Sequence, residues 1–370
     1  MINLNSKLFT PYTHPESGVT TYLLTEKVAP VQEAFYFVNN SLTSDGRFLW
    51  FYCAFPPGGS AYHGRTLGVV DFERMEVRRY PETMFQDASP MVDPDSHDAI
   101  WGTADGVWRR GPMPKDEPRL IGTIPDEVTG GRPIKKIATH LTRSCDGKEL
   151  FLDAGVGLQH LFGSLKIADG SYEFWHRFDR CYNHAQFSPT HPDQVLFAQE
   201  MHNDPLTGMT FPITNRLWLL ERGKAPRALL REPRWVSHEW WDAAGQHAWS
   251  VWANQAWKVD INTGAEEYVD WPNHCWHAHS TVDNSYMVAD SNDKFFRGCP
   301  SSVGFTNRKT GKYVRIIDNP AMLNQIGRSY HIDPHPRFIF NDQYIVFTTT
   351  LRGEVDLAVL PVDQLIDRTS

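Results

Sequence analysis

Seven tight-turn signals divide the chain, and in five of the seven units a histidine stands four residues ahead of the turn. The turns read Thr43-Ser44-Asp45-Gly46, Asp93-Pro94-Asp95, Ser144-Cys145-Asp146-Gly147, Ser188-Pro189-Thr190, Asp242-Ala243-Ala244-Gly245, Thr281-Val282-Asp283-Asn284 and Ile339-Phe340-Asn341-Asp342. Each precedes a short apolar run such as Arg47 to Tyr52, Glu149 to Leu152, Gln194 to Ala198 or Gln343 to Phe347. Counting back four places from each turn gives Asn39, Ser89, His140, His184, His238, His277 and His335. A unit that returns every 40 to 60 residues or so belongs to a radial or solenoid array.

Within a unit the apolar residues alternate with the two-residue period of strands, and turn residues interrupt them at short intervals. Ala248 to Trp252, Ala256 to Asp260 and Glu266 to Trp271 make one such series, and Ala99 to Gly102, Gly106 to Arg109 and Leu120 to Ile124 another. Three or four antiparallel strands in each of seven units predict an all-β, seven-bladed β-propeller that occupies residues 1–370 as one domain. The last unit lacks a strand, since Gln343 to Thr349 and Asp356 to Pro361 nearly exhaust it, whereas Val19 to Thr25 lies spare before the first. Pairing the two closes the ring and removes exposed sheet edges. Only Val362 to Arg368 reads as helical.

Composition narrows the partners. A net charge of -8 argues against nucleic acid, whose phosphates want a basic face. The five cysteines are scattered and contain no CxxC, which indicates neither a zinc knuckle nor a disulfide framework. Met1 to Thr10 has no apolar run of signal-peptide length and nothing later approaches a membrane span, so a cytoplasmic location is expected, with no membrane partner. Oligomeric state is not legible.

In a propeller the segment before each turn is the innermost strand of a blade, and its first residues lie at a mouth of the central channel. The five histidines should therefore converge on one face, although they span nearly 200 residues. A ring of imidazoles is a metal site, a general base, or both. Two stretches are richest: His274-Cys275-Trp276-His277-Ala278-His279, and His331-Ile332-Asp333-Pro334-His335. Alternate residues of a strand share a side, so each stretch offers two or three ligands to one cation.

The chain resembles the oligogalacturonate lyases, seven-bladed propellers that cleave short pectic oligosaccharides by β-elimination with a manganese-type cation. The resemblance rests on Asn183-His184-Ala185-Gln186-Phe187-Ser188-Pro189, Asn215-Arg216-Leu217-Trp218, Ser237-His238-Glu239-Trp240-Trp241, the stretch around His277, and Asp333-Pro334-His335-Pro336 with Ile345 to Thr348. It spans the whole chain but is sharp only from about residue 180 onward. It implies His238 as base, Arg216 as the carboxylate-binding arginine, and His277 and His335 as ligands of Mn2+ or another divalent cation such as Ca2+ or Zn2+. The family's last ligands follow a Gln-x-x-His-Pro-His-Pro pattern; here Asp333 replaces the first of those histidines and Tyr330 the glutamine, with His331 offset by one. Either His331 or Asp333 is suited to complete the set. His184, His140, Arg65 and Trp240 are the further candidates for substrate contact, with Trp241 and Trp276 also available to stack on sugar faces.

The expected substrate is an acidic oligosaccharide. A uronate carboxylate bound by the cation and Arg216 acidifies the C5 proton, neutral His238 removes it, and the oxygen on C4 leaves. Two other readings stay open: a lyase on another acidic glycan, of rhamnose-glucuronate or ulvan type, using a histidine pair, and a non-catalytic propeller that binds glycan or protein. A hydrolase is disfavoured because no carboxylate pair is distinctively placed.

Overall fold

The computed structural model describes residues 2–56, 58, 63–86, 89–204, 206–252, 255–272, 274–291, 301–319 and 332–370. The strands form seven antiparallel blades arranged as a β-propeller, plus a small hairpin of His202–Asn203 with Thr210–Phe211. Blade 5 shows the plan: Ser237–Trp241 innermost, then His247–Trp252, Gln255–Asp260 and Glu266–Asp270 outermost. A blade packs against a neighbour on each face, so its second strand is buried along most of its length and does not alternate. Phe48–Ala54 is buried at every position, whereas the outer strand Glu266–Asp270 is largely exposed. Apolar clusters consequently lie between blades. Phe35, Trp50, Tyr52 and Leu67 of blade 1 meet Val92, Ala99 and Trp101 of blade 2, each large side chain contributing about 1.5–3 kcal/mol by its burial.

The turns are as the sequence indicates, with Gly46 at φ 71° and Gly147 at φ 77°, a region open to glycine at little steric cost. Ring closure also follows expectation: Thr20–Leu24 pairs with Asp356–Pro361 in the register Tyr22 to Val359 and Leu23 to Ala358. A fifth strand, Phe9–Thr13, then pairs outside Thr20–Leu24. Pro11 hid it, because proline removes a ladder donor and sits in strands mainly at edges. The helix expected at Val362 to Arg368 is Asp363–Thr369, anchored by buried Leu365; a single turn at Asp126–Thr129 was not anticipated.

Blade 1 departs most from the repeat. Its inner strand pairs Glu33 with Tyr52, and the pairing resumes only at Leu42 with Leu49. The intervening segment 34–41 leaves the sheet and carries Tyr36 and Phe37 into the ring of histidines.

Candidate functional site

The repeat register of the sequence is physical. Ser89 and His140, four residues ahead of their turns, pair as a parallel bridge between blades 2 and 3, and the Asn39 side chain donates to Leu141 O at 2.8 Å. His184, His238 and His335 share a left-handed backbone, with φ of 57°, 47° and 47°. Pairing slips next to two of them, between Asn183 and Gln186 and between Ser237 and Trp240, as in a β-bulge that re-aims a side chain. Left-handed non-glycine residues cost about 1–3 kcal/mol each and cluster at functional sites.

Neighbouring segments are tied by buried carboxylates at one repeat position, nine residues after the start of the turn. Asp290 accepts from His277 N at 2.7 Å and from His335 N at 3.1 Å. Asp153 does the same between blades 3 and 4, accepting from Thr139 N and from Ala185 N at 3.1 Å.

The five imidazoles come together. Ring centroids are 4.8 Å apart for His140 and His184, 4.0 Å for His238 and His277, and 4.3 Å for His277 and His335. Tyr36 stands among them, stacked on His140 at 4.5 Å and lying 4.8 Å from His335, 5.8 Å from His277 and 6.4 Å from His184. Sequence reasoning missed this residue. The signal was present as the aromatic run Phe35-Tyr36-Phe37, in a unit with too many residues between its inner strand and its turn.

On one flank, His277, Asp333 and His335 bring one ligand atom each to within 4.8 Å of one another. His277 Nδ1 lies 3.0 Å from Asp290 Oδ2, which leaves Nε2 to face a cation and makes the imidazole more basic, the usual outer partner of a metal-bound histidine. Burial works against a charged His277, yet Asp290 outweighs it and raises the pKa. Two imidazoles and a carboxylate suit a borderline or hard divalent cation, so the residues present fit the expected metal. His331 lies outside the described residues. His279 is not part of the group: it lies beside Phe338, deeper in the channel. A strand advances about 3.3 Å per residue, so alternate residues share a side but not a depth.

On the other flank, buried Arg216 is gripped by two acids. Its Nε donates to Glu239 Oε2 at 2.9 Å and its Nη1 to Glu200. His184 Nδ1 lies 3.1 Å from Glu239 Oε1 and 3.4 Å from Arg216 Nη2. Although burial opposes ionisation, Arg216 and His184 hold the Glu239 carboxyl down to about 2. Two of the five N–H donors of the guanidinium are thereby taken by carboxylates, so any substrate carboxylate must use the rest.

His238 connects the flanks. Its Nδ1 lies 3.0 Å from Ser237 Oγ, its ring is 4.4 Å from Trp276, and burial followed by the charges of His277 and Arg216 keeps its pKa well below the ordinary value. Burial likewise keeps His140 neutral, and neither of its ring nitrogens has a hydrogen-bond partner among the described residues. Tyr36 is held as the phenol by burial and by Glu239.

Two expected substrate contacts are placed differently. Arg65 is buried against Glu33 at 3.2 Å and lies over the Tyr52 ring, an internal ion pair in place of an open binding group. Trp240 is 2% exposed, stacked on Trp249 at 5.6 Å and bonded to Ser280 Oγ, so its faces are covered by protein. A tryptophan following a channel histidine reads equally well as core, and packing between blades decided the matter. Trp241 donates to Gln186 O and lines the opposite end of the channel, which leaves Trp276 at the histidine mouth.

The fold and site define the class: a seven-bladed β-propeller with a histidine-lined channel mouth and a candidate metal centre. The chain is similar over 96% of its length to an oligogalacturonate lyase in complex with manganese (TM-score 0.73, 18% identity, 97% of that chain covered). It is similar over the same share to oligogalacturonate lyase from Vibrio parahaemolyticus (TM-score 0.77, 18% identity, 96% of that chain covered). At this identity the likeness shows the fold alone. No family model matches the sequence, and no curated protein is similar to it. Among the described residues no helix is long and apolar enough to cross a membrane.

Proposed function

We propose that the protein is a carbon–oxygen lyase that cleaves uronate-containing oligosaccharides by β-elimination. The observation that carries this reading is the position of one neutral, hydrogen-bonded imidazole, His238, between a cation-suited triad and a buried guanidinium. Elimination next to a carboxylate needs those three elements: a base, and positive charge on either side of the carboxylate.

A divalent cation held by His277, Asp333 and His335, manganese being our choice, would draw electron density from the substrate carboxylate and so acidify C5. Arg216, fixed by Glu239 and Glu200, adds a second positive charge through its remaining N–H groups. His238 takes the C5 proton, the C–H pair becomes the C4–C5 double bond, and the C4–O pair leaves with the oxygen. Tyr36, kept as phenol within the same ring of side chains, gives its proton to that oxygen. Water then returns a proton to the phenolate and removes one from His238. His140, whose ring nitrogens have no hydrogen-bond partner among the described residues, and His184 are the side chains we assign to the sugar.

The test is an incubation with oligogalacturonate, rhamnose-glucuronate and neutral oligosaccharides, following near-ultraviolet absorbance of the unsaturated uronate. Absorbance should rise with an acidic glycan and stop on chelation. No rise with any uronate oligosaccharide, in protein shown to carry metal, would remove the lyase reading.

A further inference from the structure

The opposite end of the channel holds a second set of unspent groups. A cavity of about 390 Å³ opens there among the turns of several blades, lined by Trp241, Phe338, Asn40, His279 and Arg337. Cavities that take small organic ligands begin at about this size and are largely apolar, with a few convergent polar groups.

Arg337 sets this cavity apart. The buried arginines are paired among the described residues, Arg65 with Glu33, Arg110 with Glu82, Arg216 with Glu239 and Glu200, whereas Arg337 is half-buried. Arg337 has a single hydrogen bond, from Nη1 to Phe37 O at 2.8 Å; its Nε has no partner, and among the described residues no carboxylate is within ion-pair distance. The acid that faces it, Asp342, is occupied as acceptor of Val282 N at 2.8 Å. Beside it His279 is kept neutral by burial and by Arg337, with Nδ1 unpartnered. Arg337 is half-buried and its only facing acid among the described residues is the distant Asp342, so desolvation outweighs that charge and lowers its pKa to about 10. An anion in the cavity would meet the Arg337 guanidinium through the N–H groups that Phe37 O leaves free. Trp241 and Phe338 supply apolar surface for a compact body attached to that anion.

We propose that this cavity binds a small-ring carboxylate, its carboxylate on Arg337 and its ring between Trp241 and Phe338. The site is separate from the histidine mouth, with Phe37 between them, its carbonyl on Arg337 and its ring 5.5 Å from His277.

Calorimetric titration with D-galacturonate, benzoate and neutral D-galactose tests this. The two acids distinguish a sugar acid from an aromatic acid as source of the carboxylate, and binding of either supports the site. Binding should persist in His238→Ala, weaken by roughly 10- to 100-fold in Arg337→Gln, as loss of a charged hydrogen bond implies, and be absent for galactose. Val282→Glu, at an exposed rim position, should weaken binding without touching the core, and it replaces Arg337→Gln if that variant fails to fold. Absence of binding by both acids, equal binding by galactose, or binding lost in His238→Ala but retained in Arg337→Gln and Val282→Glu would each overturn the proposal. None of these outcomes depends on the ultraviolet assay, so the lyase reading and this site fail separately.

Discussion

The two flanks of the histidine mouth spend their carboxylates in opposite ways. On the flank of blades 6 and 7, Asp290 bonds to a ring nitrogen of His277 and to the backbone of His277 and His335, so it positions imidazoles and leaves them available as ligands. On the flank of blades 4 and 5, Glu239 and Glu200 bond to a guanidinium, fixing a cation the protein already owns. One arrangement is suited to recruit positive charge from solution, the other to hold it permanently. Carboxylates at different positions of the repeat thus yield two chemistries, Asp290 on the second strand of its blade holding imidazoles and Glu239 on an inner strand holding a guanidinium.

The comparison breaks most sharply at His277. His277→Ala removes a proposed ligand and leaves Asp290 only its two backbone N–H donors, so bound metal should fall by about one equivalent per chain and elimination should cease. The Arg216 flank should be untouched. Metal analysis beside a rate assay checks this, and unchanged metal content would dissolve the distinction between the flanks.

His238→Ala should keep the metal and the fold while the rate falls by about a hundred- to ten-thousand-fold, the usual cost of losing a positioned base. If His184→Ala or His140→Ala were the variants that abolished turnover and His238→Ala remained active, the base would belong to the Arg216 flank.

Glu239→Gln sharpens the permanent side. The Glu239 carboxyl sits at about 2 in the fold against an ordinary 4.5, a depressed value. Its stabilisation is therefore fully present above pH 4.5 or so and is lost as pH falls towards 2. By linkage that is about 3 kcal/mol as an order of magnitude. Denaturant titrations at several pH values should show the variant less stable near neutrality, with the difference shrinking between pH 4.5 and 2. A difference independent of pH would mean that packing alone, and not charge, holds Arg216.

Much of this was legible in the sequence because a propeller repeats its geometry. A turn every 40 to 60 residues or so fixes blade number, and four residues ahead of a turn is one depth in every blade, so His140, His184, His238, His277 and His335 could be placed without contacts. What the pattern could not carry was departure from it. Arg65 and Trp240 lie at plausible positions, yet the counter-ion Glu33 and the stacking partner Trp249 are set by packing between strands. His279 has the right spacing from His277 and the wrong depth. Glu200, which holds Arg216, lay in no motif, and Glu239, though inside the stretch Ser237 to Trp241, had no role assigned to it. Tyr36 was missed for the opposite reason: it belongs to a segment, 34–41, where the inner strand abandons the repeat.

That residue also provides the finest test, since it touches both flanks, stacked on His140 and near His335. Tyr36→Phe keeps the ring and its packing and removes only the proton that the leaving oxygen would receive. The rate on a natural glycosidic linkage should fall by about a hundredfold, the low end for loss of a general acid, with metal content unchanged. A purely structural role for the phenol would lower the rate on every substrate alike. A uronate whose C4 substituent leaves as a stable aryloxide needs no proton, so on that substrate the variant should approach the wild-type rate. Equal losses on both substrates would assign Tyr36 to packing and leave the departing oxygen to be protonated from the Arg216 flank.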